Sequence, residues 1–558
     1  MQEKQRIETD LLNENTFRKP DKTYYPETWF HFIGGNVSKE GITADLEAIA
    51  AAGISGIQLF HGQFGGEWPG VSPQIKCLSE SWDDLILWTA EECKRLDLRF
   101  TMQNCPGWSY AGGPWIEPDN AMRQLARSRT DIDGGQKADY LARCNYMLES
   151  GKPVSDLLMY LGDEQNHKPQ QSLDFPEGYA YDYCNPDVLL NRLTVENGQM
   201  VTPEGISYGV LWLYDCKRML PETLEKIHSF VQQGITVVGE PPAGIVTLSG
   251  GTAAESRFQK VVDALWGKGG EQMRKVGDGK VYRDDIGAVL MAEKIIPDIS
   301  VKWSDIRWLH RKTSDSDLYF LSAPVEKGFN GVVSFRSRGA VERWDPLTGE
   351  ITAMAPVTTG QGYTEVAIDL PAGTSCFIVF REKSVDPPQK KLLITEKMEL
   401  QNDWEISFPA GWGIAQPSVV MDQLVAWKNI PSLNEEGKAF SGTAVYRTTF
   451  RVEDVRDKER YMLDLGQVEM IAKVSLNGAD VATKWTYPYE MDITRYLKPG
   501  ENLLEIAVTS TWFNRLVYDA GLPEKERKTW TISGPKADLP LKDYGLLGPV
   551  CICREADR

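Results

Sequence analysis

The sequence holds no run of apolar residues approaching a membrane span, and its first ten residues, MQEKQRIETD, lack the apolar core of a secretion signal. As given, the chain reads as cytoplasmic, or as periplasmic or secreted if a leader has been removed. Positive charge is short: 61 Lys and Arg stand against 79 Asp and Glu, a formal net charge of −18. That balance argues against nucleic acid and anionic membrane surfaces as partners and suits neutral ligands. The nine cysteines are scattered, with neither zinc-ligand spacing nor a disulfide pattern. Cys551 and Cys553 alternate within one strand, which reads as core packing. Neither Gly239-Glu-Pro-Pro nor Ser249-Gly-Gly-Thr has the glycine spacing and lysine of a phosphate loop, and no internal repeat or low-complexity tract is evident.

What is present is a rich opening third. Residues 29–33 (WFHFI) run into Gly34-Gly35-Asn36, a helix pattern covers 43–52, and residues 56–60 (GIQLF) run into His61-Gly62. A second helix over 81–96 delivers the chain to a short buried strand at 99–103. Strands that alternate with helices and end in polar or glycine clusters open a parallel α/β barrel or doubly wound sheet, the barrel being the better fit. The stretch 101–115, TMQNCPGWSYAGGPW, follows at once. Its Trp108, Tyr110 and Trp115 stand among glycines that leave their rings uncovered, a surface on which the C–H faces of a sugar can stack. Gln103 and Asn104 lie at the strand end, where ligands bind in such folds.

Long phrases carry a resemblance. WFHFIGGNVSKEGITADLEAIAAAGISGIQLF, CLSESWDDLILWTAEECKRLDLRFTMQNCPGWSYAGGPWIEPDNAM, YDYCNPDVLLNRLTVENGQMVTPEGISYGVLWL and FNRLVYDAGLPEKERKTWT are similar to glycoside hydrolase family 106, the α-L-rhamnosidases. The resemblance implies a catalytic (β/α)8 barrel followed by β-rich accessory domains, and inverting hydrolysis of terminal α-L-rhamnosides assisted by calcium. It also implies a departure, because family members carry several hundred residues where this chain passes from Trp115 to Lys152. The expected barrel is therefore incomplete. An inverting glycosidase needs two carboxyl groups about 6.5–9.5 Å apart, and in the family at least the acid belongs to the missing stretch.

The carboxylate candidates are Asp163 and Glu164 in LMYLGDEQN, since this strand resembles a family strand ending in Tyr-Gly-Glu. Asp163 takes the glutamate's place and Glu164 follows; the alternative for either is a solvated loop carboxylate. Glu67 and Glu117 are weaker candidates, Glu117 sitting before Pro118 where an acid favours a helix dipole. His31 and His61, at strand ends, are candidates to bind a hydroxyl or move a proton, or are hydrogen-bonded packing residues. Asn36 and Asn104 can offer amide oxygens to a sugar or to calcium, or cap turns. Trp108 and Trp115 are ligand-facing. The metal ligands stay open, as does the oligomeric state.

The whole chain is expected to be multidomain α/β plus all-β. Residues 1–131 would form the incomplete (β/α) barrel. A flavodoxin-like or amidotransferase-like α/β domain over 132–290 would contain strands at 154–160, 208–213 and 235–239 and a helix at 220–233. An antiparallel β module follows over 291–384, with a hairpin turn at 343–350, and then a polar, proline-bearing linker at 383–391. A galactose-binding-like jelly-roll β-sandwich, with a tight turn at Asn477-Gly478, completes the chain over 385–558. Such a module either binds sugar or buttresses the barrel, the latter being favoured. The overall expectation is an α-L-rhamnosidase-related protein acting on plant or microbial polysaccharide, or a catalytically impaired relative that binds it.

Overall fold

The computed structural model describes residues 12–33, 37–62, 75, 79–102, 136–164, 175–302, 304–324, 327–360, 362–382, 393–401, 403–414, 417–456, 459–529 and 534–556. The chain divides into two compact units, one formed by Met1–Lys19 with Cys144–Gln389 and the other by Pro20–Arg143 with Lys390–Arg558. The first described element, the short helix α1 (Glu14–Arg18), is capped by Asn13 and buries Phe17, whose ring lies 4.7 Å from that of Trp344.

The second unit begins with three parallel strands, β1 (Glu27–Ile33), β2 (Gly56–Gly62) and β3 (Arg99–Met102), in that order. Helices α2 (Lys39–Ala51) and α3 (Glu80–Arg95) connect them, each started by a serine, Ser38 or Ser79, whose hydroxyl accepts a first-turn N–H. Period-2 alternation sorts the side chains. Phe30, Phe32, Ile57 and Leu59 share a core with Ile42, Leu46, Trp82 and Leu85 of the helices. Trp29, His31 and Phe60 project from the opposite face of the sheet, the face that lines the interior of a (β/α) barrel. The expectation of a buried strand at 99–103 needs correction: three of the four β3 side chains are exposed. Among the described residues β3 pairs only with β2 and is an edge, so its apolar composition does not carry burial with it. Residues 103–135, which would hold any further strand before helix α4 (Gln136–Glu149), lie outside the described residues.

The first unit continues with β4 (Lys152–Pro153), β5 (Leu157–Tyr160) and β6 (Tyr181–Cys184). A small three-stranded sheet follows, β7 (Thr194–Glu196), β8 (Gln199–Val201) and β9 (Ser207–Tyr208). Next come β10 (Val210–Trp212), β11 (Arg218–Met219), helix α5 (Pro221–Gln232), β12 (Thr236–Val238), β13 (Gly244–Ile245) and helix α6 (Gly251–Trp266). Strands β14 (Met273–Val276) and β15 (Gly279–Tyr282) and helix α7 (Ile286–Ala292) complete this part. The main sheet runs β14-β15-β12-β10-β5-β6, with β14 alone antiparallel. Its parallel strands thus lie in the order second, first, third, fourth, fifth. Strands β5, β10 and β12 are buried on both faces, between the core shared with α5 and α6 and that shared with α7. The strand expected at 154–160 is present as Leu157–Tyr160 and joins this sheet, while Lys152-Pro153, just ahead of it, pairs with β16 in a different one.

The antiparallel part has β16 (Arg307–Lys312), β17 (Ser316–Ser322), β18 (Phe329–Phe335), β19 (Ala340–Trp344), β20 (Ile351–Met354), β21 (Thr358–Thr359), β22 (Thr364–Leu370) and β23 (Ser375–Arg381). They form sheets β20-β19-β23-β17-β16-β4 and β18-β22-β21. The turn expected at 343–350 joins β19 to β20.

Residues 393–556 are mainly β, with short helices at Glu435–Lys438 and Phe513–Ala520, and return to the second unit. A six-stranded antiparallel sheet built around Thr443–Val452 and Gly500–Thr509 shares a single core with a four-stranded sheet that includes Cys551–Ala556. Trp427 donates its indole N–H to the buried Tyr446 hydroxyl at 2.7 Å, which satisfies two polar groups in that core. Asn477 and Gly478 both adopt positive φ, 55° and 82°, and Leu476 pairs with Ala479 across them. That is the two-residue hairpin its Asn-Gly sequence demands. Cys551 and Cys553 are both buried, but on the face of their strand opposite Ile552, which is the residue that joins the sandwich core. The linker at 383–391 lies outside the described residues.

Candidate functional site

Asp163 and Glu164 follow β5 immediately, and Tyr214, Asp215 and Cys216 stand just past β10, its neighbour in the sheet. Between these two strands the chain order reverses, and ligands bind in the crevice beyond the strand ends at such a point. Gly162, at φ 85°, and Asp215, at φ 51°, turn the two chains away from the sheet in the left-handed conformation.

The two carboxylates are used differently. Asp163 accepts from the buried Tyr160 hydroxyl (2.8 Å), the buried Thr223 hydroxyl (3.0 Å) and the Leu220 backbone N–H (2.8 Å). Helix α5 starts with Pro221 and has no cap of its own at Leu220. Asp163 therefore caps it from 57 residues upstream and meets its positive dipole end. Burial, together with the Asp163 charge, drives the Tyr160 phenol well above its usual range, and the same two causes push the Cys216 thiol up to about 12. Neither is a nucleophile at neutral pH. Glu164 is half exposed and forms an ion pair with Arg218 at 3.1 Å, while Arg218 also donates twice to the Ile245 carbonyl.

An aromatic ladder flanks this edge. The Tyr181 ring lies 4.4 Å from Phe175 and 5.4 Å from Tyr183, Phe175 is 5.7 Å from Trp212, and Trp212 is 5.2 Å from Tyr214. Nothing in the residue pattern around 181–184 singles this ladder out, although tyrosines at i and i+2 of a strand necessarily share a face.

In the other unit, His31 lies in β1 with its ring 5.9 Å from Trp29 and 5.6 Å from Phe60. Partial burial lowers its pKa, so the imidazole is neutral at pH 7 and can both donate and accept. His61 is in β2, where only its backbone is described. Asn36, Gln103, Asn104, Trp108 and Trp115 lie outside the described residues. Among the described residues no three His, Cys, Asp or Glu side chains gather where they could hold a metal ion. No helix among the described residues is long and apolar enough to cross a membrane.

Comparison with known proteins adds four findings. The family model described as alpha-L-rhamnosidase, glycoside hydrolase family 106, matches residues 18–139 and 137–356. A model described as a glycosyl hydrolase 2 galactose-binding domain-like module matches residues 399–535. Among solved structures, a rhamnosidase from Novosphingobium sp. PP1Y superposes with a TM-score of 0.64 at 26% identity, covering 95% of this chain and 51% of its own. A curated relative from Formosa agariphila, provisionally named a β-glucuronidase, is 32% identical over 273 residues, 47% of this chain and 22% of that protein. The chain thus spans about half the length of the solved relative and about a fifth of the curated one.

Proposed function

This chain belongs to glycoside hydrolase family 106, the α-L-rhamnosidases, and from that membership we propose that it acts on terminal α-L-rhamnosides of plant or microbial polysaccharide. The observation that carries the reading is the family match over residues 18–356. The fold of the solved rhamnosidase over 95% of the chain supports it. The α/β part is flavodoxin-like in its strand order, and its chain-reversal crevice is the place we assign to the reacting carboxylate. Of the two candidates, Glu164 is the one that can serve there. Asp163 already has three donors and holds the helix that forms the crevice wall, whereas Glu164 has one exposed ionic partner. In the other unit, and independently of that crevice, His31, Trp29 and Phe60 are assigned to sugar contact, as are Gln103, Asn104, Trp108 and Trp115. Asn36 and Asn104 can each offer an amide oxygen to a sugar or to calcium; the metal ligands are not assigned, and no step is derived through a metal.

A second reading has its own support. Asp163, engaged as a helix cap rather than open to a ligand, fits a relative that recognises rhamnosides without cleaving them. Release of nitrophenol from an aryl α-L-rhamnoside separates the two. Hydrolysis by the purified chain that Glu164→Gln abolishes supports the enzyme. Tight retention of the intact glycoside with no turnover supports the binder. Neither binding nor turnover sinks both.

A further inference from the structure

The sandwich commits buried charge to a tryptophan at its edge. The strands Trp404–Ser407 and Gly500–Thr509 both run antiparallel to Thr443–Val452, so the segments that follow them, 408–414 and 510–513, leave the sheet at the same end. There the rings of Trp412 and Trp512 meet at 5.3 Å and 52°. Behind Trp412 lies Arg515, fully buried, its guanidinium 5.5 Å from the Trp412 ring and 5.1 Å from that of Tyr518. The guanidinium donates to Glu436 at 2.9 Å and to Asp519 at 2.6 Å, and its Nε is buried without a hydrogen-bond partner. The second Asp519 oxygen accepts from the backbone of Lys528 and from the backbone and hydroxyl of Thr529. Lys528 Nζ in turn joins Glu436 to the Gly411 carbonyl, at 2.7 Å each. Trp412 itself sits between two left-handed glycines, Gly411 at φ 91° and Gly413 at φ 76°. A Cβ at Gly413 would lie 2.3 Å from the Glu436 carboxyl carbon.

Ion pairs taken out of water are costly and add little net stability, so their use here is to fix geometry. What they fix is the Trp412 loop, and through it the seat of Trp512, a residue 47% exposed. A single half-exposed indole held by a charge-clamped neighbour is not a protein-docking face, which requires a contiguous apolar patch of several hundred Å². It matches a ligand the size of one ring, apolar on its face and hydroxylated at its rim, bound without the entropic cost of ordering the platform. The net charge of −18 disfavours an acidic ligand.

We propose that the Trp412–Trp512 shelf is a non-catalytic binding site for a neutral pyranose, with Trp512 stacking on the sugar face and Lys528 and Glu436 reaching its hydroxyls. The sugar-handling character assumed for the ligand rests on the family reading, while the site does not depend on turnover.

The test uses the full chain labelled with 5-fluorotryptophan. The resonance missing from Trp512→Phe identifies Trp512, and titration with methyl α-L-rhamnopyranoside or methyl β-D-galactopyranoside should move it in a saturable way while the buried Trp404 resonance stays fixed. Trp512→Ala should weaken binding at least tenfold without changing the far-UV circular dichroism, and Trp512→Tyr should recover part of it. A Trp512 resonance indifferent to both glycosides, or one that moves with protein concentration instead, overturns the proposal. Hydrolysis of an aryl rhamnoside with an indifferent Trp512 removes the shelf and leaves the enzyme. A responsive Trp512 with no hydrolysis does the reverse.

Discussion

His310 offers the sharpest stability experiment. Its Nε2 lies 2.9 Å from Asp317 and its Nδ1 3.2 Å from Asp298, close enough for an ion pair but misaligned for a directed hydrogen bond. The Tyr319 ring stacks on it at 4.0 Å and 12°. Arg336 bridges Asp298 at 2.6 Å and Asp156 at 2.8 Å, and Lys312 approaches Asp317 at 3.3 Å. Burial works against the imidazolium, but its two carboxylate partners prevail and raise its pKa above 6.5, while His310 and Lys312 hold the Asp317 carboxyl below 3.8 against burial. A group raised in the folded state stabilises fully below its unfolded value and loses that contribution as pH climbs through the folded one. Asp317 behaves oppositely, so both contributions are complete between about pH 5 and 6.5. Removing one partner of a buried ion pair costs about 3–5 kcal/mol and a lost ring stack about 0.5–1.5 kcal/mol. His310→Ala should therefore lower stability by about 3.5–6.5 kcal/mol near pH 6, a large share of the ~5–15 kcal/mol that holds a domain together. Urea unfolding at intervals from about pH 5 to 9 reads the difference between wild type and variant, which should shrink as the solution becomes alkaline. A gap that is constant across that range would refute the cationic reading of His310.

Asp163→Ala removes the cap of α5, about 0.5–2 kcal/mol, and strands the buried Tyr160 hydroxyl, about 1–3 kcal/mol more. Its urea midpoint should fall accordingly, while Glu164→Gln, which breaks only an exposed pair, should stay within about 0.5 kcal/mol of wild type. Equal losses for the two would show that Asp163 is not the cap. Gly413→Ala must accept a left-handed backbone at about 1–2 kcal/mol and displace Glu436 from Arg515. Since 1 kcal/mol shifts the melting point by about 2–4 °C in domains of 150–250 residues, a drop of several degrees should appear in a thermal scan, and an unchanged melting point would contradict the packing around Glu436.

Much of the fold is legible in the sequence because the patterns are local. The alternation of Trp29, Phe30, His31 and Phe32 announces a strand with two unlike faces, the apolar spacing over 43–52 and 81–96 announces the two helices though not their serine-capped starts, and Asn477-Gly478 announces its turn. What escapes depends on partners distant in the chain. No window around 99–103 says that three of the four β3 side chains are exposed, and none around 152–160 says that Lys152 and Pro153 pair in another sheet. The site divides in the same way. Strand-end chemistry leads to Asp163 and Glu164, but only the fold distinguishes a carboxylate locked on Leu220, Thr223 and Tyr160 from one facing solvent beside Arg218. Two local cues bear on the remaining buried charges. His310 alternates with Trp308, which puts an imidazole inside a strand's buried face, and Arg515 precedes Asp519 by one helical turn, the spacing of an ion pair. In both places ionisable groups pair with other ionisable groups in the interior, where an unpaired charge is strongly destabilising. A charged residue at a core position therefore implies a charged partner on physical grounds alone. For Arg515 the helix supplies one in Asp519, and its second, Glu436, comes from 79 residues away in the chain, which is why the tryptophan shelf that this pair supports has no local signature.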